Sequence, residues 1–173
     1  MKGFTLIELL VVIAVLGVLA AGIFTAINPL ERLAQARDSQ RKSAAGQIVQ
    51  AIQAYYVTHT GTYPPNVNGN WIQTLVDSGD LKTVPSSVSY GSGNYACGDP
   101  AAGRSAWTMQ NNYCYVTFPD GSAVMHVSLE SQSAKSKCTD SAKPYPYFAW
   151  SSSQSQVCLA CSASGDGPGS CVN

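Results

Sequence analysis

The chain has 173 residues, enough for one domain with a genuine core. Ten basic and ten acidic residues cancel to a formal net charge of zero, which removes the electrostatic basis for nucleic acid as the main partner. Apolar residues make up 45% but are unevenly placed: none of the charge falls between Leu9 and Ile27. The remainder is polar and rich in Ser, Gly, Tyr and Asn, a composition that suits a small β-rich domain with many turns.

Residues 4–27 are apolar apart from Thr5, Glu8 and Thr25. As a helix they would span about 36 Å at ~1.5 Å per residue, enough to cross a bilayer core. A plain membrane anchor would look like this. So would a secretory signal, with Ala20 and Ala21 as small residues for cleavage. Glu8 separates these readings from a third. A carboxylate inside the apolar run costs roughly 2.5–3.5 kcal/mol if it reaches the bilayer centre, and less near the interface. Neither an anchor nor a signal peptide needs it, so Glu8 calls for a partner.

The string Gly3-Phe4-Thr5-Leu6-Ile7-Glu8-Leu9-Leu10-Val11-Val12-Ile13-Ala14 resembles the N-terminal signature of type IV pilins and type II secretion pseudopilins. The resemblance implies cleavage between Gly3 and Phe4 by a prepilin peptidase and N-methylation of the new terminal Phe4. The leader would be Met1-Lys2-Gly3, short for the family, with Lys2 as its one charged side chain. It also implies a role for Glu8 in assembly. Cleavage creates an amine at Phe4, which Glu8 can neutralise in its own chain or a neighbouring one. Such a pair is worth more in a low-dielectric bundle than in water. The implied partners are other pilin subunits, the peptidase, an inner-membrane assembly platform and, before assembly, membrane lipid. Counting Lys and Arg alone places the C-terminus in the cytoplasm, because Arg32, Arg37, Arg41 and Lys42 follow the span and Lys2 precedes it. The signature and the cysteines place the head outside the cytoplasm, on a single-pass inner-membrane precursor and later on a surface or periplasmic filament.

Gly17, Gly22 and Asn28-Pro29 weaken the helix beyond the first turns, and a local loss of helix is expected around Gly22–Pro29 in a filament. Ala45, Ile48, Ala51 or Ile52, and Tyr55 then recur at spacings of three and four, the period of an amphipathic helix. Arg37, Asp38, Arg41 and Lys42 supply its polar positions. An Asp38–Lys42 pair would add tenths of a kcal/mol, on the order of 0.2–0.5. Gly61 and Tyr63-Pro64-Pro65 end the helix. One long helix from Phe4 to about His59 is predicted, roughly 80 Å at ~1.5 Å per residue. The segment from Asp38 through Ile48, Ile52, Tyr55, Tyr56, Gly61, Tyr63 and Pro64 also resembles the main-pseudopilin type, in which a second amphipathic half-helix ends in a Tyr-rich stretch and a Gly-x-Tyr-Pro turn.

Trp71, Leu75 and Val76 predict a short helix. Residues 113–118 and 122–129 alternate on either side of Pro119-Asp120-Gly121, a hairpin signal. Tyr145–Trp150 and Gln156–Leu159 are further strands, and Ser162–Ser170 reads as loop. The expected fold is α+β: a long N-terminal helix, membrane-spanning in its first half and amphipathic in its second, packed on a small antiparallel disulfide-bonded sheet. The expected divisions are 1–3 leader, 4–27 membrane or filament-core helix, 28–60 amphipathic half and 61–173 cysteine-rich head.

All six cysteines, Cys97, Cys114, Cys138, Cys158, Cys161 and Cys171, lie in the head, which points to disulfides and an oxidising compartment. Six cysteines allow 15 pairings. Proximity favours Cys97–Cys114 and a staple of Cys158 or Cys161 with Cys171. Cys158-Leu159-Ala160-Cys161 is a C-x-x-C, but it lacks the βαβ context of a redox fold and the second ligand pair of a regular zinc site. His59 falls at a helix end, where an imidazolium suits the dipole. His126 sits mid-strand, and neither histidine has a nucleophile motif beside it. No catalytic residue and no cofactor is expected. Some pseudopilins bind calcium through a C-terminal acidic loop; here Asp166 stands alone among Gly165, Gly167 and Gly169, too few carboxylates for such a site. Lys135, Lys137 and Lys143 read as a solvated loop. The leading function is structural, a subunit that polymerises through its N-terminal helix. The alternative is a minor pilin whose head is an adhesin or DNA-binding tip module. A membrane-anchored redox enzyme would rest on the C-x-x-C alone.

Overall fold

Pro29 divides the N-terminal helical stretch in two. In the computed structural model, which describes residues 3–26, 28–66, 69–87, 89–91, 97 and 108–162, α1 runs Leu6–Ala26 and α2 runs Pro29–Thr58. The one long helix expected from Phe4 to about His59 is therefore two helices, and the break falls inside the Gly22–Pro29 stretch. Proline lacks the N–H that would continue the ladder, and its ring excludes the carbonyl four residues back. It is well placed as the first residue of a new helix. Asn28 supplies the new cap: its Oδ1 accepts the Glu31 N–H at 3.3 Å, and its carbonyl accepts the Arg32 N–H at 3.2 Å. The chain forms two compact units, Met1–Leu33 and Ala34–Asn173.

The second unit is α+β. After α2 come α3 (Trp71–Asp77), β1 (Thr108–Gln110), β2 (Tyr113–Thr117), β3 (Ala123–Ser128), α4 (Gln132–Lys135), β4 (Tyr145–Ser151) and β5 (Gln156–Ser162). The strands form one antiparallel sheet in chain order, β1-β2-β3-β4-β5. The Pro-Asp-Gly hairpin joins β2 and β3. Its Asp120 carboxylate accepts the Ser122 N–H at 2.9 Å, and Gly121 takes a φ of 80° that favours glycine. Two short elements, β1 and α4, have no periodic signal and were not expected.

The predicted amphipathic face of α2 is the face that packs. Ala45, Ile48, Ala51, Ile52 and Tyr55 are buried against Trp71, Tyr113, Tyr115, Met125, Val127 and Trp150. Full burial of a residue such as Ile48 or Ile52 is worth about 1.5–3 kcal/mol. The sheet register explains which strand residues meet the helix. Met125 pairs with Trp150, and Val127 with Phe148, so these alternate positions share the helix-facing side. α3 is anchored on the first strand: the Gln110 side-chain oxygen accepts the Ile72 N–H at 2.7 Å. α2 ends where Gly61, at φ 79°, donates its N–H back to the Tyr56 carbonyl.

Candidate functional site

In the first unit, α1 has 21 residues, about 32 Å of helix at ~1.5 Å per residue. Its Leu6–Ile23 stretch is long and apolar enough to cross a membrane. Every side chain from Phe4 to Ile23 is exposed in the single chain. An all-round apolar helix of this kind needs lipid or other protein around it. Phe4, Ile7, Glu8, Val11 and Val12 line one shallow groove along it, following the three-and-four spacing of a helix face.

Thr5 and Glu8 close the start of α1 as a capping box. Glu8 Oε2 accepts the Thr5 N–H at 2.9 Å and the Thr5 hydroxyl at 2.8 Å, and the Glu8 N–H donates to Thr5 Oγ1 at 3.3 Å. A Thr-x-x-Glu spacing produces this reciprocal bonding, because the third residue of a helix faces back toward its cap. The carboxylate is thus supplied with donors from its own chain. The Thr-x-x-Glu spacing is the sequence signal for this cap, and it makes Thr5 a functional residue beside Glu8. Gly3 and Phe4 precede the helix, which leaves the proposed scissile bond in non-helical chain.

The second unit holds a buried charge cluster. Asp38 and Arg41, expected on the polar face of α2, are 2% and 1% exposed. The correction has a clear cause: Glu130, two residues after β3 ends, reaches α2 and completes the set. Arg41 donates to Asp38 at 2.8 Å, to Glu130 at 3.0 Å and to the Ser89 carbonyl at 2.8 Å. Arg37 donates to the same Glu130 oxygen, and the Gly91 N–H donates to the other. Asp38 also accepts the N–H groups of Glu130 and Ser131. The Tyr90 ring lies 3.8 Å from the Arg41 guanidinium carbon, and its hydroxyl donates to the Ser128 carbonyl. Burial alone would raise the Glu130 carboxyl. The bonds from Arg37, the Gly91 N–H and Arg41 outweigh it and hold that carboxyl below its ordinary range. Burial pushes the Tyr90 phenol up to about 12. The anticipated Asp38–Lys42 pair is replaced by Asp38–Arg41, and Lys42 stays exposed.

Two disulfides are described, Cys97–Cys114 and Cys138–Cys161. The first joins the pair that proximity favoured. The second removes Cys161 from the expected staple of Cys158 or Cys161 with Cys171; Cys158 is disulfide-bonded as well, whereas Cys171 and Asp166 lie outside the described residues. The C-x-x-C is therefore split between two bonds. Its cysteines are three residues apart on β5, so they point to opposite faces of the sheet. His126 is wholly buried on the face away from α2, edge-on to Tyr147 at 5.1 Å, and desolvation pushes its imidazole down to about 3. His59 stacks on Tyr55 at 3.7 Å at the end of α2.

Residues 1–24 match the family model for the prokaryotic N-terminal methylation motif. No curated protein and no solved structure matches the chain. The matched stretch holds Gly3, Phe4, the Thr5–Glu8 box and most of α1, so the motif and the membrane-length helix coincide. This motif points to a structural subunit, and together with the apolar helix it fits a membrane-anchored precursor. Through its first 24 residues the chain carries the prepilin-type signature of type IV pilins and pseudopilins, which supports a pilin- or pseudopilin-like precursor.

Proposed function

We propose that this chain is a filament subunit of a type IV pilus or type II secretion pseudopilus, cleaved after Gly3, N-methylated on Phe4 and polymerised through α1. The observation that carries the reading is a carboxylate, Glu8, near the start of a helix that is otherwise apolar and exposed from Leu6 to Ile23 and that bears the methylation motif. In the precursor the capping box supplies donors to this carboxylate. In the filament the amine of Phe4, from the same or a neighbouring subunit, is the stronger partner, since an ion pair inside a low-dielectric bundle outweighs a neutral hydrogen bond. Pairing with a neighbour would favour entry of each subunit at one axial offset. The proposed divisions follow: leader 1–3, membrane or core helix 4–27, amphipathic helix 28–60 and disulfide-bonded head 61–173. The head stands on the extracytoplasmic side, where its disulfides form.

Mass spectrometry of the purified mature protein tests processing. The expected chain begins at N-methylated Phe4; a chain beginning at Met1 in cells with active prepilin peptidase overturns the reading. Glu8→Ala tests assembly. It should insert into the membrane and be processed normally yet yield no filaments, and normal filaments from that variant would refute the role of Glu8.

A further inference from the structure

Cys138 is followed on β5 by two cysteines, Cys158 and Cys161, and it bonds Cys161 across a separation of 23 residues. Chain entropy does not make this choice. Closing the alternative loop to Cys158 is favoured, by about 1.2-fold. Accessibility does not make it either, because Cys161 is buried and Cys158 is half-buried. What separates the two is the side of the sheet. Cys161 pairs with Pro146, and Leu159 with Phe148, so Cys161 lies on the side that faces α2. Cys158 pairs with Ala149, in the row that also contains His126, and lies on the opposite side.

A continuous series of bonds brings Cys138 to the α2 side. It begins on the helix, where Asp38 accepts the N–H groups of Glu130 and Ser131 while Arg37 and Arg41 hold the Glu130 carboxylate. Just before it, the Leu129 N–H donates to the carbonyl of Pro146, the register partner of Cys161. After it, Ser131 caps α4 and its carbonyl accepts from Ala134 and Lys135. The carbonyls of Gln132, Ala134 and Lys135 then accept from Ser136, Lys137 and Cys138 in turn. Every residue from Glu130 to Cys138 takes part in at least one hydrogen bond.

We propose that the buried Asp38–Arg41–Glu130 cluster selects the disulfide, directing Cys138 to Cys161 and away from Cys158. The chemistry is ordinary exchange with a low-molecular-mass disulfide such as oxidised glutathione. One thiolate of the pair attacks that disulfide and releases a thiol, and the second thiolate displaces the remaining glutathione. Two protein thiols are oxidised, one external disulfide is reduced to two thiols, and the two protons leave on those thiols. The cluster contributes no atom to the reaction; it fixes which second thiolate is in line. A buried ion cluster is a poor source of net stability and in some proteins a source of specificity; the role proposed here is of the second kind.

The test is reduction of the full chain in detergent micelles under denaturing conditions, reoxidation in a glutathione buffer, and peptide mapping of the total product without reduction. Mapping the total product lets a misfolded variant report its pairing too. Wild type should return Cys138–Cys161 as its dominant bond to Cys138. Asp38→Ala and Glu130→Gln should each lower that share at least threefold, with Cys138–Cys158 as the main new species. Leu75→Ala, a cavity in the core away from the cluster, should keep the wild-type pairing. Native pairing in both cluster variants, or equal scrambling in Leu75→Ala, overturns the proposal.

Discussion

Asp38 and Arg41 lie one turn apart on α2, joined at 2.8 Å, and each is almost wholly shut off from water. Neither could be buried by its partner alone. Arg41 needs Glu130 and the Ser89 carbonyl, and Asp38 needs the N–H groups of Glu130 and Ser131. Removing one member leaves an uncompensated buried charge, which typically costs about 3–5 kcal/mol. Asp38→Ala should therefore lower the thermal stability of the head far more than Lys42→Ala, which is exposed. Near-UV circular dichroism melts of the full chain in micelles would compare them, and equal losses would contradict the cluster's weight.

The pH dependence of stability should carry two separable contributions. The unfolded His126 takes up a proton near pH 6.5, whereas the folded imidazole refuses one until about pH 3. Because the unfolded state binds more protons in that window, stability falls as pH drops through it, by up to about 1.4 kcal/mol per unit. Glu130 acts lower down. Its folded carboxyl is held below the ordinary value, so its contribution is present above the unfolded value and is lost as pH falls through the folded one. His126→Leu should flatten the melting-temperature curve between pH 6 and pH 4 and leave the more acidic limb. Parallel curves for wild type and variant would sink the assignment.

Thr5→Ala should loosen the first turn of α1. Loss of an N-cap typically costs about 1 kcal/mol. The effect should be local, read as faster amide exchange at Glu8 and Leu9 in micelles and unchanged exchange near the middle of α1. Unaltered exchange at Glu8 would mean that the cap bond does not form in solution.

The Cys97–Cys114 bond spans 17 residues, and a loop of that size is worth about 3 kcal/mol through the unfolded chain. Replacing both cysteines by serine should lower the melting temperature of the head by roughly 6–12 °C. A melt unchanged by the double replacement would show that the bond constrains little of the unfolded ensemble.

Elements made by local periodicity were legible. α1 follows from an apolar run broken only by Glu8 and Thr25, the packing face of α2 from Ala45, Ile48, Ile52 and Tyr55, and the β2–β3 hairpin from alternation around Pro119-Asp120-Gly121. The capping box is legible too, in the Thr5-x-x-Glu8 spacing, which gives Glu8 a partner in its own first turn besides the Phe4 amine. β1 is three residues long and α4 four, too short to show a period at all.

What the sequence determined by itself is everything whose cause lies within a few residues: the processing motif, the membrane-length helix, the interruption at Asn28-Pro29, and the presence of an oxidised, strand-rich head. Only the tertiary structure decided the fate of Asp38 and Arg41, which look like solvent-facing charges until Glu130, some ninety residues later, closes on them. It likewise decided that the two cysteines of the C-x-x-C serve different disulfides. Their spacing is compatible with a vicinal pair, but a strand turns residues three apart to opposite faces, and each face offers a different neighbour. Long-range partners are set by which surfaces the packed helix and sheet bring together, and no local pattern encodes that.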